Sequence, residues 1–409
     1  MHVLILMPAS AGQLYPEAGR RMGIRTTVIT NNQGFYRLGD HIREFIDEVC
    51  PVGTLSPAEI REAAREIHRR EPVHAVVAGV EFTVPIAAEV AAELGIPGID
   101  PADALVVREK SEMRARLHEA GVRAPAFVVA SSSREAADAG EVVGFPCVIK
   151  PVGMLGTIGV RRADGRDDLV AGYADIIGET VPMGDRLPGA TVVVEQYLRG
   201  KEFSAEGYVE RGRATVLAIT EKWLGREPHF QQQGHIVRPA AQVPGHEDVT
   251  AYLDQVTRAL GLTTGPFHAE YRLTAEGPTL VEIAGRMGGD QIAAMVETVT
   301  GLSLAQAAIA TAAGVEVPAP GTPTASAAGI HYVIDPARFG ATYRALEGWD
   351  EALALPGVRR GGIDIPAGQP IPDRPDMRSR IAHVMFEAGS YDEAVALRRK
   401  LEETIRVVG

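Results

Sequence analysis

Glu270 and Glu282 stand in two runs of otherwise apolar residues, Phe267-His-Ala-Glu270-Tyr and Leu280-Val-Glu282-Ile-Ala, joined through a Glu-Gly-Pro turn. The pattern predicts a hairpin whose two carboxylates share a face. Carboxylates held among apolar neighbours are costly unless a cation meets them. A pair of hard oxygens on one side, with phosphate oxygens on the other, is how magnesium is usually held. Outward-facing strand glutamates give the same spacing, but the flanking valine, leucine and isoleucine argue against that reading. Just beyond, Gly285-Arg286-Met-Gly288-Gly289-Asp290 brings a guanidinium fork suited to a phosphate or a carboxylate.

Upstream, Pro146-Cys-Val-Ile-Lys150 runs directly into a loop with Gly153, Gly156, Thr157 and Gly159. Glycines let backbone N–H groups close around phosphate oxygens, and the lysine adds a point charge. A glycine-rich hairpin beside an incidental lysine has the same sequence. The spacing is neither a Walker loop nor a dinucleotide fingerprint. A third cluster, Val192-Val-Val-Glu195-Gln196-Tyr197-Leu198-Arg-Gly-Lys-Glu202, takes a buried strand into a turn with two glutamates. Backbone amides and a carboxylate at a strand end can read an adenine edge, and a second carboxylate suits vicinal ribose hydroxyls. A solvated turn with surface charges is the plainer alternative.

These residues need elements to position them. The first hundred residues alternate strand and helix: strand from His2 to Met7, helix to about Met22, strand Arg25 to Thr30, helix 57–70, strand His74 to Ala78, helix Phe82 to Leu94. Such alternation predicts a parallel sheet with ligands at the carboxyl ends of its strands. That places Asn31, Asn32 and the Gly79–Glu81 turn where a substrate could meet them, although plain turn chemistry is the better explanation of those polar residues. Next come an amphipathic helix at 104–120, strand 126–130, helix 133–142, strand 145–150 and helix 166–178. Strand-rich segments at 190–223 and 265–284 flank a helix at 248–260, and alanine-rich helices cover 290–313. A Pro-rich connection, 315–324, leads to strands near 326–334 and 381–386 and a closing helix at 391–406.

A chain of 409 residues exceeds one hydrophobic core. The expected division is 1–102, 103–314 (a small lobe of about 124–198 and a larger one of about 199–314), and 315–409. The net charge of −12 repels phosphate backbones, so no nucleic-acid partner is expected. Cys50 and Cys147 form no CxxC pair, which favours free thiols in a reducing cytoplasm. The apolar start is too short for a signal peptide or a membrane span.

In this order and spacing the clusters resemble the ATP-grasp superfamily over nearly the whole chain. The resemblance implies an α/β ATP-grasp fold: an N-terminal Rossmann-like parallel sheet, a two-lobed α+β ATP-binding region and a C-terminal α+β domain. It implies ATP phosphates on Lys110 (in Arg-Glu-Lys-Ser-Glu-Met-Arg) and Lys150, under the Gly153–Gly159 loop. Glu195–Leu198 then matches the adenine-reading hinge and Glu202 the ribose carboxylate. Glu270 and Glu282 match ligands of Mg²⁺, with Mn²⁺ as an alternative, and Arg286 the arginine that steadies the transferred phosphate. One departure is Ala284, where many members carry a third metal ligand, an asparagine. The Arg286–Asp290 ending and the tail resemble the bacterial L-amino acid ligases, which form dipeptides or related amides. In that subgroup a Gly-His follows a Gln-rich stretch, here Gln231-Gln-Gln-Gly234-His235, making His235 a candidate for meeting the acyl phosphate or the amine. Glu81, Gly288 and Gly289 are the further substrate candidates.

The implied activity is ATP-dependent ligation of a small carboxylate to an amine through an acyl phosphate, in a cytoplasmic protein and, as in look-alikes, a homodimer. The rivals are a carboxylase-like or purine-pathway ligase using bicarbonate or formate, and a silent nucleotide-binding protein. An NAD-dependent enzyme is disfavoured by the missing GxGxxG.

Overall fold

The computed structural model describes residues 1–154, 156–179 and 188–409. Leu155, within the glycine loop, and 180–187, within the expected small lobe, lie outside the described residues.

Near the N-terminus β1 (His2–Leu6) is buried along its whole length, as a strand covered on both faces must be. It pairs in parallel with β2 (Arg25–Thr30) and, on its other edge, with β4 (Ala75–Ala78); β3 (Glu48–Pro51) extends the sheet beyond β2. Helix α1 (Tyr15–Arg21) joins β1 to β2, α2 (Pro57–Arg70) joins β3 to β4, and α3 (Val84–Leu94) follows β4. Helix α3 ends at Gly95, whose φ of +67° is the left-handed turn that glycine tolerates.

The expected single helix over 104–120 is two. α4 (Pro101–Arg108) and α5 (Lys110–Glu119) are split at Glu109, whose backbone is extended. Long-range bonds outweigh helix continuity there: the Arg108 guanidinium donates to the Gly153 carbonyl, and the Lys110 amide to that of Val152. The alanine-rich stretch forms, as expected, more than one helix: α9 (Ile292–Thr300) and α10 (Leu304–Ala313), bent by 95° at a break around Gly301. Both pack in the core shared with the N-terminal sheet. Among the described residues no single helix is long and apolar enough to cross a membrane.

The small lobe is a four-stranded sheet ordered β5 (Phe127–Ala130), β8 (Val192–Gln196), β6 (Cys147–Pro151), β7 (Arg161–Ala163), packed by α6 (Ser133–Val143) and α7 (Arg166–Ile177). The large sheet has eight strands. Its first five run β13 (Gly277–Ala284), β12 (Gly265–Thr274), β9 (Lys201–Glu210), β10 (Arg213–Leu224), β11 (Gln232–Pro239). Alternation along these strands sorts side chains to two faces. Phe203, Ala205, Ile219, Phe267, Ala269 and Tyr271 join one buried core, which includes residues of α8 (His246–Ala259). The intervening Glu202, Ser204, Glu206, Lys222, His268 and Glu270 face the other way and are the polar floor of the site.

The sheet does not stop at the expected 315 boundary. β14 (Ala327–Val333) pairs with β11, then β17 (Ala382–Ala388) and β16 (Val358–Ile363) follow. Short strands β15 (Ala345–Glu347) and β18 (Arg406–Val408), with α11 (Trp349–Leu353) and α12 (Tyr391–Thr404), complete this unit.

Candidate active site

Two cavities meet over the polar floor. The first, about 960 Å³, lies between the two lobes; the second, about 880 Å³, lies between the large sheet, the N-terminal sheet and the C-terminal unit. Gly156, Thr157, Gln232, His268, Glu270 and Arg286 line both and so mark their junction.

Glu270 and Glu282 are cross-strand partners, with a bulge after Glu270, and both line the inter-lobe cavity. Each already meets a lysine. Lys110 donates to Glu282 Oε1 at 2.9 Å and to the Met154 carbonyl at 2.7 Å. Lys222 donates to Glu270. Burial pushes the Glu270 carboxyl up, but Lys222 and His268 beside it hold it well below the usual range. Two facing carboxylates on one wall, with room beside them for phosphate oxygens, suit a Mg²⁺ that takes the rest of its shell from phosphate and water. Position 284 is an alanine, so no third side-chain ligand comes from that strand.

Lys150 is 3% exposed and sits 2.5 Å from Glu195 Oε1, whose other oxygen accepts from Arg114 Nε at 3.1 Å. Burial lowers the Lys150 ammonium, with Arg114 and Lys110 adding to the effect and Glu195 opposing it. An added phosphate would oppose that shift. The Glu195 carboxylate is thus committed to two cations, leaving the backbone of Glu195–Leu198 to face a base. Tyr197 and Phe230 stack at 6.4 Å between centroids on the wall of the same cavity. Glu202 accepts from Arg272 at 3.2 Å, and burial together with Glu270 raises its pKa. The Gly153 carbonyl is held by Arg108, and Gly156 and Thr157 have φ of +68° and +62°, a left-handed turn at the loop's crest.

Arg286 reaches back across the domain boundary. Its Nε donates to Glu81 at 2.7 Å and its Nη1 to the Met287 carbonyl at 2.7 Å. Glu81 is 2% exposed and its carboxylate engages Arg286, so its place is behind the arginine rather than on a substrate ammonium. Gly289 lines the second cavity, and Gly288 packs so closely that a Cβ would lie 2.9 Å from both Glu206 and His268.

His235 is not brought to the cavities. It is fully buried, edge-on to Tyr332, with neither ring nitrogen hydrogen-bonded among the described residues. Burial lowers its pKa to about 4. The expected role beside an acyl phosphate is corrected on that ground. The histidine at the junction is His268, 2.9 Å from Glu206 through Nδ1 and 3.2 Å from Glu270 through Nε2. Burial opposes its charge, but Glu206 outweighs it and raises the pKa to about 9. His268, Lys222 and Glu206 escape sequence reasoning. The alternation in Glu202-Phe-Ser204-Ala-Glu206-Gly was the available signal for Glu206.

Comparison with known proteins agrees with this geometry. Family models match at 16–98 (ATP-grasp N-terminal domain), 143–294 (ATP-grasp domain) and 340–408 (L-amino acid ligase C-terminal domain 2). An uncharacterized protein, y4rH of Sinorhizobium fredii, is 26% identical over 98% of this chain and 82% of its own length. Dapdiamide A synthase of Enterobacter agglomerans is 30% identical over 40% of this chain, a segment spanning only 39% of the synthase. The crystal structure of an L-amino acid ligase from Bacillus licheniformis superposes with a TM-score of 0.79 at 21% identity, covering 100% of this chain and 98% of that one. Sheet order, cavity and domain matches converge: the chain carries an ATP-grasp N-terminal domain and an ATP-grasp domain and closes with an L-amino acid ligase C-terminal domain.

Proposed function

We propose that this protein is an ATP-dependent carboxylate–amine ligase, forming an amide or peptide bond with an amino acid as at least one substrate and releasing ADP and phosphate. The observation that carries the proposal is the junction of the two cavities at Glu270, His268 and Arg286. Nucleotide binds in the inter-lobe cavity, with phosphates toward Lys110 and Lys150 and the base toward the Glu195–Leu198 backbone. Glu270 and Glu282 hold Mg²⁺, which when bound supplies positive charge to the phosphate oxygens. A substrate carboxylate in the second cavity attacks the γ-phosphorus in line, and the β–γ bridging oxygen leaves with its electron pair as ADP. Arg286, held by Glu81, meets the charge on the transferred group; positioning and charge stabilisation are the main levers in such transfers. An amine then attacks the acyl carbon of the acyl phosphate, its proton goes to a nearby base or water, and phosphate departs. The glycine loop and Met377 cover the junction and limit access of water to the intermediate.

The second cavity separates this reading from one built on bicarbonate or formate. Beyond the junction its wall carries Tyr15, Phe35, Met377 and Arg380, which do not line the nucleotide cavity; a one-carbon acid at the junction leaves that wall to the second substrate, and an amino acid with an incoming amine has groups to meet it. The deciding experiment measures ADP release from Mg-ATP against single amino acids and pairs, with bicarbonate and formate as controls. Release that depends on an amino acid and rises with a second one is expected. Release with bicarbonate or formate alone would replace this proposal with the carboxylase-like one.

A further inference from the structure

The second cavity has a charged wall that the reaction described above does not use. Arg380, in the C-terminal unit, lines it but not the nucleotide cavity, so it lies away from the junction. The residue is 7% exposed. Its Nη1 donates to Asp290 Oδ1 at 2.9 Å, and its guanidinium carbon lies 3.7 Å from the centroid of the Tyr332 ring. A guanidinium stacked on a ring and tied at one edge keeps a fixed plane with donors to spare, the arrangement that recognises carboxylates with directional bonds. Asp290 is itself held firmly. Asp290 and Gln291 have φ of +53° and +63°, two successive left-handed residues that are not glycine, and Arg360 donates to the Gln291 amide oxygen at 2.8 Å. Strain of this kind persists where surrounding structure enforces it, and it gathers at functional sites.

We infer that Arg380 is a specificity-determining residue that binds the carboxylate of the amine-donating substrate, so that the acceptor is an amino acid and not a simple amine. The inference rests on the ligase reading above and deepens it. With the reacting carboxyl of the first substrate at the Arg286 junction, an acceptor whose nitrogen reaches that junction has its own carboxylate on the Arg380 side. Asp290 positions the guanidinium.

The test uses the intact protein with Mg-ATP and the carboxylate substrate found by the ADP screen. Acceptors are the proteinogenic L-amino acids, each beside its α-amide, which keeps the amine and removes the carboxylate charge. The wild type is expected to prefer acid over amide by at least about 100-fold in kcat/KM, because an arginine fork left without its anion is costly. Arg380→Gln should erase most of that preference through acceptor KM, raised at least about 10-fold, while the KM values for ATP and for the activated substrate move less than about 2-fold. Arg380→Lys should keep part of it, since charge remains without the fork. Equal use of acids and amides by the wild type overturns the inference, whether or not the variants fold. So does an Arg380→Gln enzyme that retains the preference, or one whose defect lies in the activated substrate. Absence of any amino-acid-dependent ADP release would instead bring down the ligase reading, and this inference with it.

Discussion

At the scale of single residues, the site is a set of buried charges in matched pairs. Glu282 is held by Lys110 and faces Glu270 across the hairpin. Glu282→Gln should lower ADP formation by at least about 100-fold, read in the amino-acid-dependent assay, because charge directed at the transferred phosphate supplies much of the rate enhancement in such reactions. Wild-type turnover in that variant would remove Glu282 from the site. Glu195 is central to a different group. Replacing it with alanine leaves Lys150 and Arg114 without their shared carboxylate, at a cost of about 3–5 kcal/mol in urea unfolding. The glutamates of the hairpin are legible in the sequence because they interrupt apolar runs. Lys222 and His268 are not, since their meaning depends on neighbours 48 and 62 residues away in the chain. His235 misleads for the converse reason: a local motif carries no information on which side of a strand becomes core. Two buried histidines, His235 and His331, have pKa values lowered by burial to about 4. The unfolded chain protonates them near pH 6.5 while the fold does not. Their contribution is therefore present above about pH 6.5 and is lost as pH falls toward about 4, by about 1.4 kcal/mol per pH unit for each. Denaturant melts across that window check the slope, and a flat profile would contradict their neutral burial.

At the scale of elements, breaks matter as much as spans. The split between α4 and α5 puts Arg108 and Lys110 on the glycine loop, and helix periodicity carries no sign of it, because the cause is a carbonyl more than 40 residues downstream. The loop's crest is tightly fitted. Gly156 has φ of +68°, and a Cβ there would stand 2.4 Å from the Met377 sulfur. Gly156→Ala should cost about 1 kcal/mol in stability through backbone strain alone. If the loop shields the intermediate, the same variant should also release more ADP per amide formed. That ratio, measured by coupled ADP and product assays, separates a loosened cover from a merely weakened fold. An unchanged ratio would remove the loop's shielding role.

At the scale of the whole molecule, the expected alternation of a parallel sheet followed by a two-lobed region holds, and the strand-rich segments at 190–223 and 265–284 do form the larger sheet. What the sequence conceals is that this sheet continues into the last third of the chain. Pairing of β11 with β14 is set by register between strands about 95 residues apart, and a Pro-rich stretch between them reads as a boundary. Truncation after 324 should accordingly uncover the β11 edge and remove Met377 and Arg380 from the second cavity. Such a chain should aggregate in size-exclusion chromatography, as exposed sheet edges do. A monodisperse, folded truncation would show the shared sheet to be dispensable.

That shared sheet also dictates how specificity can be exchanged between relatives. A graft beginning at 340, where the C-terminal family match starts, would ask a foreign β17 to pair with the resident β14. A junction within 315–324 moves β14, β16 and β17 together; the strand pairing left to match is the four-residue register between Gly234–Val237 and Ala328–His331, with side-chain contacts such as Arg380–Asp290 and Arg360–Gln291 to keep across it. Chimeras cut there carry Tyr332 together with the Arg380 that stacks on it, and chimeras cut at 340 separate the two and inherit half of a hydrogen-bonded pair.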